Sequence, residues 1–188
     1  MTKGLLFFSA AFLAVTTMAV PSAAQRSKGI GGALELAFPM GDFSNAADVG
    51  FGITGHYQIA WKKKLDLVGQ LGFIAWPGPK RFGIDFGWNA IPLQVGIKYF
   101  LTQGNSRFYV GGITGFHLFT FKSPVFNPFT GFWEEKSKSD LEFGLAPMGG
   151  YQFPASARLL VDFSARFQLV TDDLSCFGLR GGLIYKIR

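Results

Sequence analysis

Period-two alternation is the feature that most restricts this chain. From Gly29 onward, eight stretches set apolar residues at every second position: Gly29–Phe38, Val49–Ala60, Leu65–Ala75, Ala90–Leu101, Phe108–Phe121, Leu141–Phe153, Leu159–Val170 and Phe177–Ile187. Such alternation marks β-strands with two unlike faces. The stretches run ten to fourteen residues, whereas strands of soluble proteins cluster near five or six. A tilted strand needs about nine to eleven residues to cross a bilayer.

The two faces differ in chemistry. In the seventh stretch Leu159, Val161, Phe163, Ala165, Phe167 and Leu169 alternate with Leu160, Asp162, Ser164, Arg166 and Gln168. In the fourth, Ile91, Leu93, Val95, Ile97 and Tyr99 alternate with Pro92, Gln94, Gly96 and Lys98. Every strand-borne acid or base falls on the second face. Two architectures accept this pattern. A lipocalin-like cup, a secreted carrier of an apolar ligand, turns the apolar face inward. An outer-membrane barrel turns it to lipid and fills its interior with the polar face.

Composition separates them. Only 16% of residues are charged, against about 25% in a typical soluble domain. The polar face is rich in glycine (Gly50, Gly52, Gly96, Gly111, Gly115 and Gly178 among others), which suits the cramped interior of eight strands. Its charges are few and balanced, Glu35, Asp66, Glu142 and Asp162 against Lys98, Arg166, Arg180 and Lys186. Buried charges must be paired, so these eight are expected to form an interior network. Aromatics gather near strand ends, as interfacial girdles require. The connections alternate between long (39–48, 76–89, 122–140, 171–176) and tight (61–64, 102–107, 154–158). Outer-membrane barrels have short periplasmic turns and long external loops, so both termini are expected in the periplasm. The expected fold class is all-β, an eight-stranded antiparallel up-and-down transmembrane β-barrel.

The first 24 residues read as a cleavable signal peptide. Lys3 supplies the positive end, Leu5–Val20 is uncharged and apolar, and Pro21-Ser22-Ala23-Ala24 offers small residues for cleavage. The barrel domain is then expected over 25–188, exported to the bacterial outer membrane. A single cysteine excludes an internal disulfide framework.

At this level of detail a family resemblance emerges. The run Gly29-Ile-Gly-Gly-Ala-Leu-Glu-Leu-Ala-Phe-Pro39-Met-Gly-Asp-Phe-Ser44 resembles the opening of generic outer membrane protein beta-barrel domains. The end, Leu183-Ile-Tyr185-Lys-Ile187, is similar to the C-terminal signal read by the barrel-assembly machinery, although the chain stops on Ile187-Arg188 and not on an aromatic. The mature chain thus resembles the small eight-stranded barrels of the OmpA/OmpX/OmpW-like set. The resemblance implies an outer-membrane fold, assembly by that machinery and contact with outer-membrane lipid and lipopolysaccharide. It identifies a fold more than an activity.

Candidate chemistry is sparse. Gly50-Phe-Gly52-Ile-Thr-Gly55 matches the dinucleotide fingerprint, but that motif needs a helix after it, and here the alternation continues. His56 and His117 fall on the polar face at different heights, so a shared metal is not expected. Asp172 and Asp173 near His117 are reminiscent of an omptin-like protease, yet omptins have ten strands. No catalytic, cofactor-binding or metal site is expected, and nothing has the layout of a nucleic-acid groove. The long loops carry Trp76, Phe82, Phe86, Trp88, Phe126, Phe129, Phe132 and Trp133, candidate contacts for an unidentified external ligand or surface partner. An eight-stranded barrel is just wide enough for side chains to fill it. The leading expectation is a non-enzymatic barrel with a plugged lumen and a structural or surface-interaction role. The alternative is a narrow pore or OmpW-like transporter for small solutes.

Overall fold

The alternating stretches become eight strands that pair in chain order. They are β1 (Lys28–Pro39), β2 (Gly50–Lys62), β3 (Leu65–Pro77), β4 (Gly87–Phe100), β5 (Arg107–Asn127), β6 (Phe132–Pro154), β7 (Leu159–Val170) and β8 (Cys176–Ile187). Each pairs antiparallel with the next, and β8 returns to β1 from Lys28↔Ile187 to Pro39↔Cys176, closing the barrel. The computed structural model describes residues 28–78, 87–127 and 132–187, with side chains described outside 123–127 and 132–135. The expected signal peptide over 1–24 lies outside the described residues.

The faces sort as an inside-out protein. On β4, Ile91, Leu93, Val95, Ile97 and Tyr99 are exposed, while Pro92, Gln94, Lys98 and Phe100 are buried. On β7, Asp162, Ser164, Arg166 and Gln168 are buried, and Phe163, Phe167 and Leu169 are exposed. A water-soluble strand would reverse these assignments. Period two holds because each residue's parity selects one of two environments.

Prolines mark where the ladders lapse. The β3–β4 pairing is interrupted between Leu71↔Leu93 and Ile74↔Ala90, beside Pro92. The β6–β7 pairing is interrupted between Leu145↔Leu169 and Met148↔Arg166, beside Pro147. Proline has no N–H to give a ladder.

One connection differs from expectation. Residues 122–140, read as a long loop, largely continue β5 and β6 as a two-stranded ribbon paired to Asn127↔Phe132. Among the described residues the β4–β5 pairing reaches Gly87↔Lys122 and the β6–β7 pairing reaches Gly144↔Val170. On the β6 side the ribbon therefore runs well past the last described β7 pair. Pro124 lies within this ribbon, where it pairs with Glu135.

Candidate functional site

The interior is built by inward parity alone, so its layers can be followed along the axis. At the long-loop end, Gly41 at φ +60 starts a short 3₁₀ turn, Gly41–Asn45. Ser44 Oγ donates to the Gly41 carbonyl at 2.7 Å, and the Ala46 and Ala47 N–H groups donate to the Phe43 carbonyl. This turn drives Phe43 back into the barrel mouth, where it is 3% exposed. Its ring meets Trp76 at 5.4 Å and Trp88 at 5.6 Å in edge-on contacts. Trp76 stacks on Phe119 at 5.9 Å, and its Nε1–H donates to the Ala37 carbonyl at 3.2 Å. Trp76 is thus not an external-loop aromatic. It is the last inward residue of β3, two steps beyond Ile74, and closes the mouth from within.

Below this stopper lies a polar belt. Arg166 donates to Glu35 Oε1 from Nη2 at 2.5 Å and from Nε at 2.9 Å. The chain of bonds continues from Arg166 Nη1 to Gln94 Oε1 at 3.4 Å, from Gln70 Nε2 to the same oxygen at 2.5 Å, and from Arg180 Nη1 to Gln70 Oε1 at 2.6 Å. Arg180 stands 3.9 Å from Asp162. Asp162 is the hub of the lower half, accepting from Lys98 Nζ at 2.7 Å, Gln152 Nε2 at 2.6 Å and Tyr109 Oη at 3.0 Å. Gln58 Nε2 donates to Asp66 at 2.5 Å and its Oε1 accepts from Gln152 at 3.2 Å, which ties Asp66 into the same belt.

Six of the eight expected charges, Glu35, Asp66, Lys98, Asp162, Arg166 and Arg180, are buried together in this belt. Glu142 and Lys186 are half-buried at opposite ends. Glu142 accepts from the Thr171 hydroxyl, and the Lys186 backbone N–H donates to the Arg158 carbonyl. Sequence reasoning missed that Gln58, Gln70, Gln94, Gln152 and Tyr109 link the charges. Their inward parity was the available signal. Toward the tight turns, Phe100, Tyr109, Ile113, Ala146 and Met148 form a second apolar cluster, with Arg107 lying 3.8 Å from the Phe100 ring centroid.

The histidines are buried and apart. His117 Nε2 accepts from Gln168 Nε2 at 2.5 Å. Among the described residues neither ring nitrogen of His56 has a hydrogen-bond partner. Asp172 and Asp173 are exposed in the β7–β8 turn, at φ 56 and 57. Among the described residues no three His, Cys, Asp or Glu side chains gather as metal ligands. The dinucleotide-like glycines lie within β2 and no helix follows them.

The interior is close-packed. A Cβ on Gly50 would lie 2.4 Å from the Trp76 ring, and one on Gly144 would lie 2.5 Å from the His117 ring. A cavity of about 30 Å³ at the tight-turn end is lined in part by Gln58, Asp66 and Arg107, and it exceeds the roughly 10–15 Å³ that one water needs. Larger depressions, those of about 800 and 740 Å³ among them, lie among outward residues such as Leu34, Ile53, Phe108 and Phe163.

Of the remaining loop aromatics, Trp88 is half-buried against Phe43 and Phe121. Phe82, Phe86 and Phe129 lie outside the described residues. Phe126, Phe132 and Trp133 are placed on the β5–β6 ribbon by their backbone. On that ribbon Lys138 and Asp140 pair at 2.9 Å, and the hydrogen bond to Asp140 raises the Lys138 pKa above its ordinary value.

An outward apolar wall, a filled polar interior and alternating tight and long connections define the fold of the small eight-stranded outer-membrane barrels. No protein-family model and no curated protein matches the chain. Solved structures do. Neisserial surface protein A (NspA) aligns at 16% identity and TM-score 0.57 over 88% of this chain and 99% of its own. OprG from Pseudomonas aeruginosa aligns at 12% identity and TM-score 0.56 over 87% and 96%. Ail, the attachment invasion locus protein of Yersinia pestis, aligns at 19% identity and TM-score 0.53 over 86% and 97%, in a structure with the heparin analogue sucrose octasulfate. At these identities the likeness is one of fold.

Proposed function

We propose that the mature chain, 25–188 after removal of the signal peptide, is a non-enzymatic integral outer-membrane protein. It has a closed lumen and a surface-interaction role carried by its long-loop end. Both termini and the tight turns face the periplasm, and the last strand is the segment the assembly machinery reads. The observation that carries this reading is the pairing of an apolar outward wall with an interior stopped by Phe43, Trp76 and Phe119 and crossed by the Asp162 and Glu35 ion pairs. The wall fits lipid, and the filled interior leaves the exposed β5–β6 ribbon as the part that meets a partner.

The partner differs in charge from the polysulfate held by Ail. Among the described residues the exposed long-loop rim carries Asp42, Asp48, Asp140, Asp172 and Asp173 against Lys122, Lys136 and Lys138. This mixed, mainly acidic rim favours a partner that is not polyanionic.

Trypsin added to intact cells is expected to cut at Lys136 or Lys138 and leave a protected barrel core. Protection of both sites in intact cells, with cleavage only after lysis, would overturn the surface assignment. Recovery of the mature chain from the periplasm without detergent would overturn the membrane assignment. In planar bilayers the refolded protein is expected to give no reproducible conductance steps. Regular steps would make it the narrow pore instead.

A further inference from the structure

The two ends of the barrel carry different charge. At the tight-turn end Lys28, Lys62, Lys63 and Arg158 are exposed, and Lys64 is half-buried. Asp66, the acid nearest that rim in sequence, turns inward to Gln58. Among the described residues no Asp or Glu side chain is exposed there. The opposite rim is mixed, with Lys138 already paired to Asp140.

The basic groups also sit at a defined depth. Lys62 Nζ lies 5.2 Å from the Trp61 ring centroid, and Arg158 Nη1 donates to the Tyr185 hydroxyl at 3.4 Å. Trp and Tyr at a barrel's edge settle at the level of lipid headgroups, so these cations reach the same plane. The Lys62–Lys64 and Arg158 turns connect β2 to β3 and β6 to β7, on opposite sides of an eight-strand ring. A single protein ligand would engage one side; a lipid annulus meets both.

We infer that this basic collar binds the headgroups of anionic phospholipids in the adjoining leaflet. The inference rests on the membrane reading above. Each basic side chain near an anionic surface strengthens lipid association several-fold, and the effect fades within a Debye length as salt rises. The collar would hold the barrel at a fixed height and select phosphatidylglycerol-type lipid over zwitterionic lipid around its base.

The test uses the full mature chain, refolded into phosphatidylcholine vesicles with a trace of spin-labelled phosphatidylglycerol or spin-labelled phosphatidylcholine. The fraction of motionally restricted label reports annular association. The wild type is expected to restrict phosphatidylglycerol about fivefold more strongly than phosphatidylcholine at low salt. That ratio is expected to approach one at high salt and in K62Q/K63Q/R158Q, and to remain in K136Q/K138Q at the opposite rim. Equal restriction of both lipids by an inserted wild-type barrel overturns the inference and leaves the collar to an acidic protein partner. A preference that survives both high salt and K62Q/K63Q/R158Q overturns it too. Failure to form a heat-modifiable barrel in any vesicle overturns the membrane reading and this inference with it.

Discussion

Arg166→Met is expected to lower the unfolding free energy by about 3–5 kcal/mol, the cost of leaving one partner of a buried ion pair alone. Glu35 is buried and receives two charge-assisted bonds from Arg166. Without them it keeps the Thr54 hydroxyl at 3.4 Å. It cannot swing to water, because β1 is held on both sides, Glu35 pairing with Gly52 of β2 and with Arg180 of β8. Glu35→Met combined with Arg166→Met is expected to recover most of the loss, since an apolar pair of similar volume replaces an ion pair at little cost. Arg180→Met is expected to cost less, because Asp162 retains Lys98, Gln152 and Tyr109. Urea unfolding of the refolded barrel, read by tryptophan fluorescence and by gel mobility, measures all three. A loss for Arg166→Met no greater than the ~1 kcal/mol of an exposed pair would contradict the buried geometry.

The Glu35–Arg166 pair also shows where the sequence stops being legible. Parity alone places Glu35, Asp162, Arg166 and Arg180 on one side of the sheet, because a strand's side chains alternate without exception until a bulge. It does not say which acid meets which base. Glu35 lies opposite Arg180 in the β1–β8 register, yet its ion pair is with Arg166, two strands away on β7. The gap is crossed over Gly178, where a Cβ would lie 2.9 Å from Glu35 Oε1 and 3.1 Å from Arg166 Cγ. Partner choice therefore depends on the stagger of the strands and on an absent side chain, neither of which a local pattern encodes. Trp76 was misplaced for a simpler reason. The alternation of β3 runs two residues past Ala75, and Trp76 keeps the inward parity of Gly72 and Ile74. Phe43 offered no such clue. It stands between Asp42 and Ser44 in a polar connection, and it is placed by tertiary packing against Trp76 and Trp88. The ribbon offered no such pattern either, because from Lys122 to Asp140 apolar and polar residues do not alternate as they do along the barrel wall.

Glycine on the inward face was read as a matter of space, and the β4–β5 seam makes that reading testable in one substitution. Gly115→Val is expected to abolish formation of the heat-modifiable barrel. A Cβ at Gly115 would sit 2.1 Å from the Leu93 carbonyl oxygen and 2.7 Å from the Gln94 Cα. Overpacking costs about 1–3 kcal/mol when side chains can yield; here the obstacle is the backbone of the neighbouring strand, so the ladder itself must part. Gly111 meets the same limit, 2.1 Å from the Ile97 carbonyl, and Gly96 lies 2.2 Å from that of Gly112. The two strands approach closely on their inward side along this whole seam, as a narrow barrel requires of strongly coiled strands. Gly112 is the control. It faces outward on the same strand, and its Cβ would meet only the Ala146 carbonyl at an ordinary 3.8 Å. Gly112→Ala is therefore expected to refold like the wild type, within about 0.5 kcal/mol. If Gly115→Val refolds as well as Gly112→Ala, the close approach of β4 and β5 is wrong, and the interior has room that the closed-lumen reading denies.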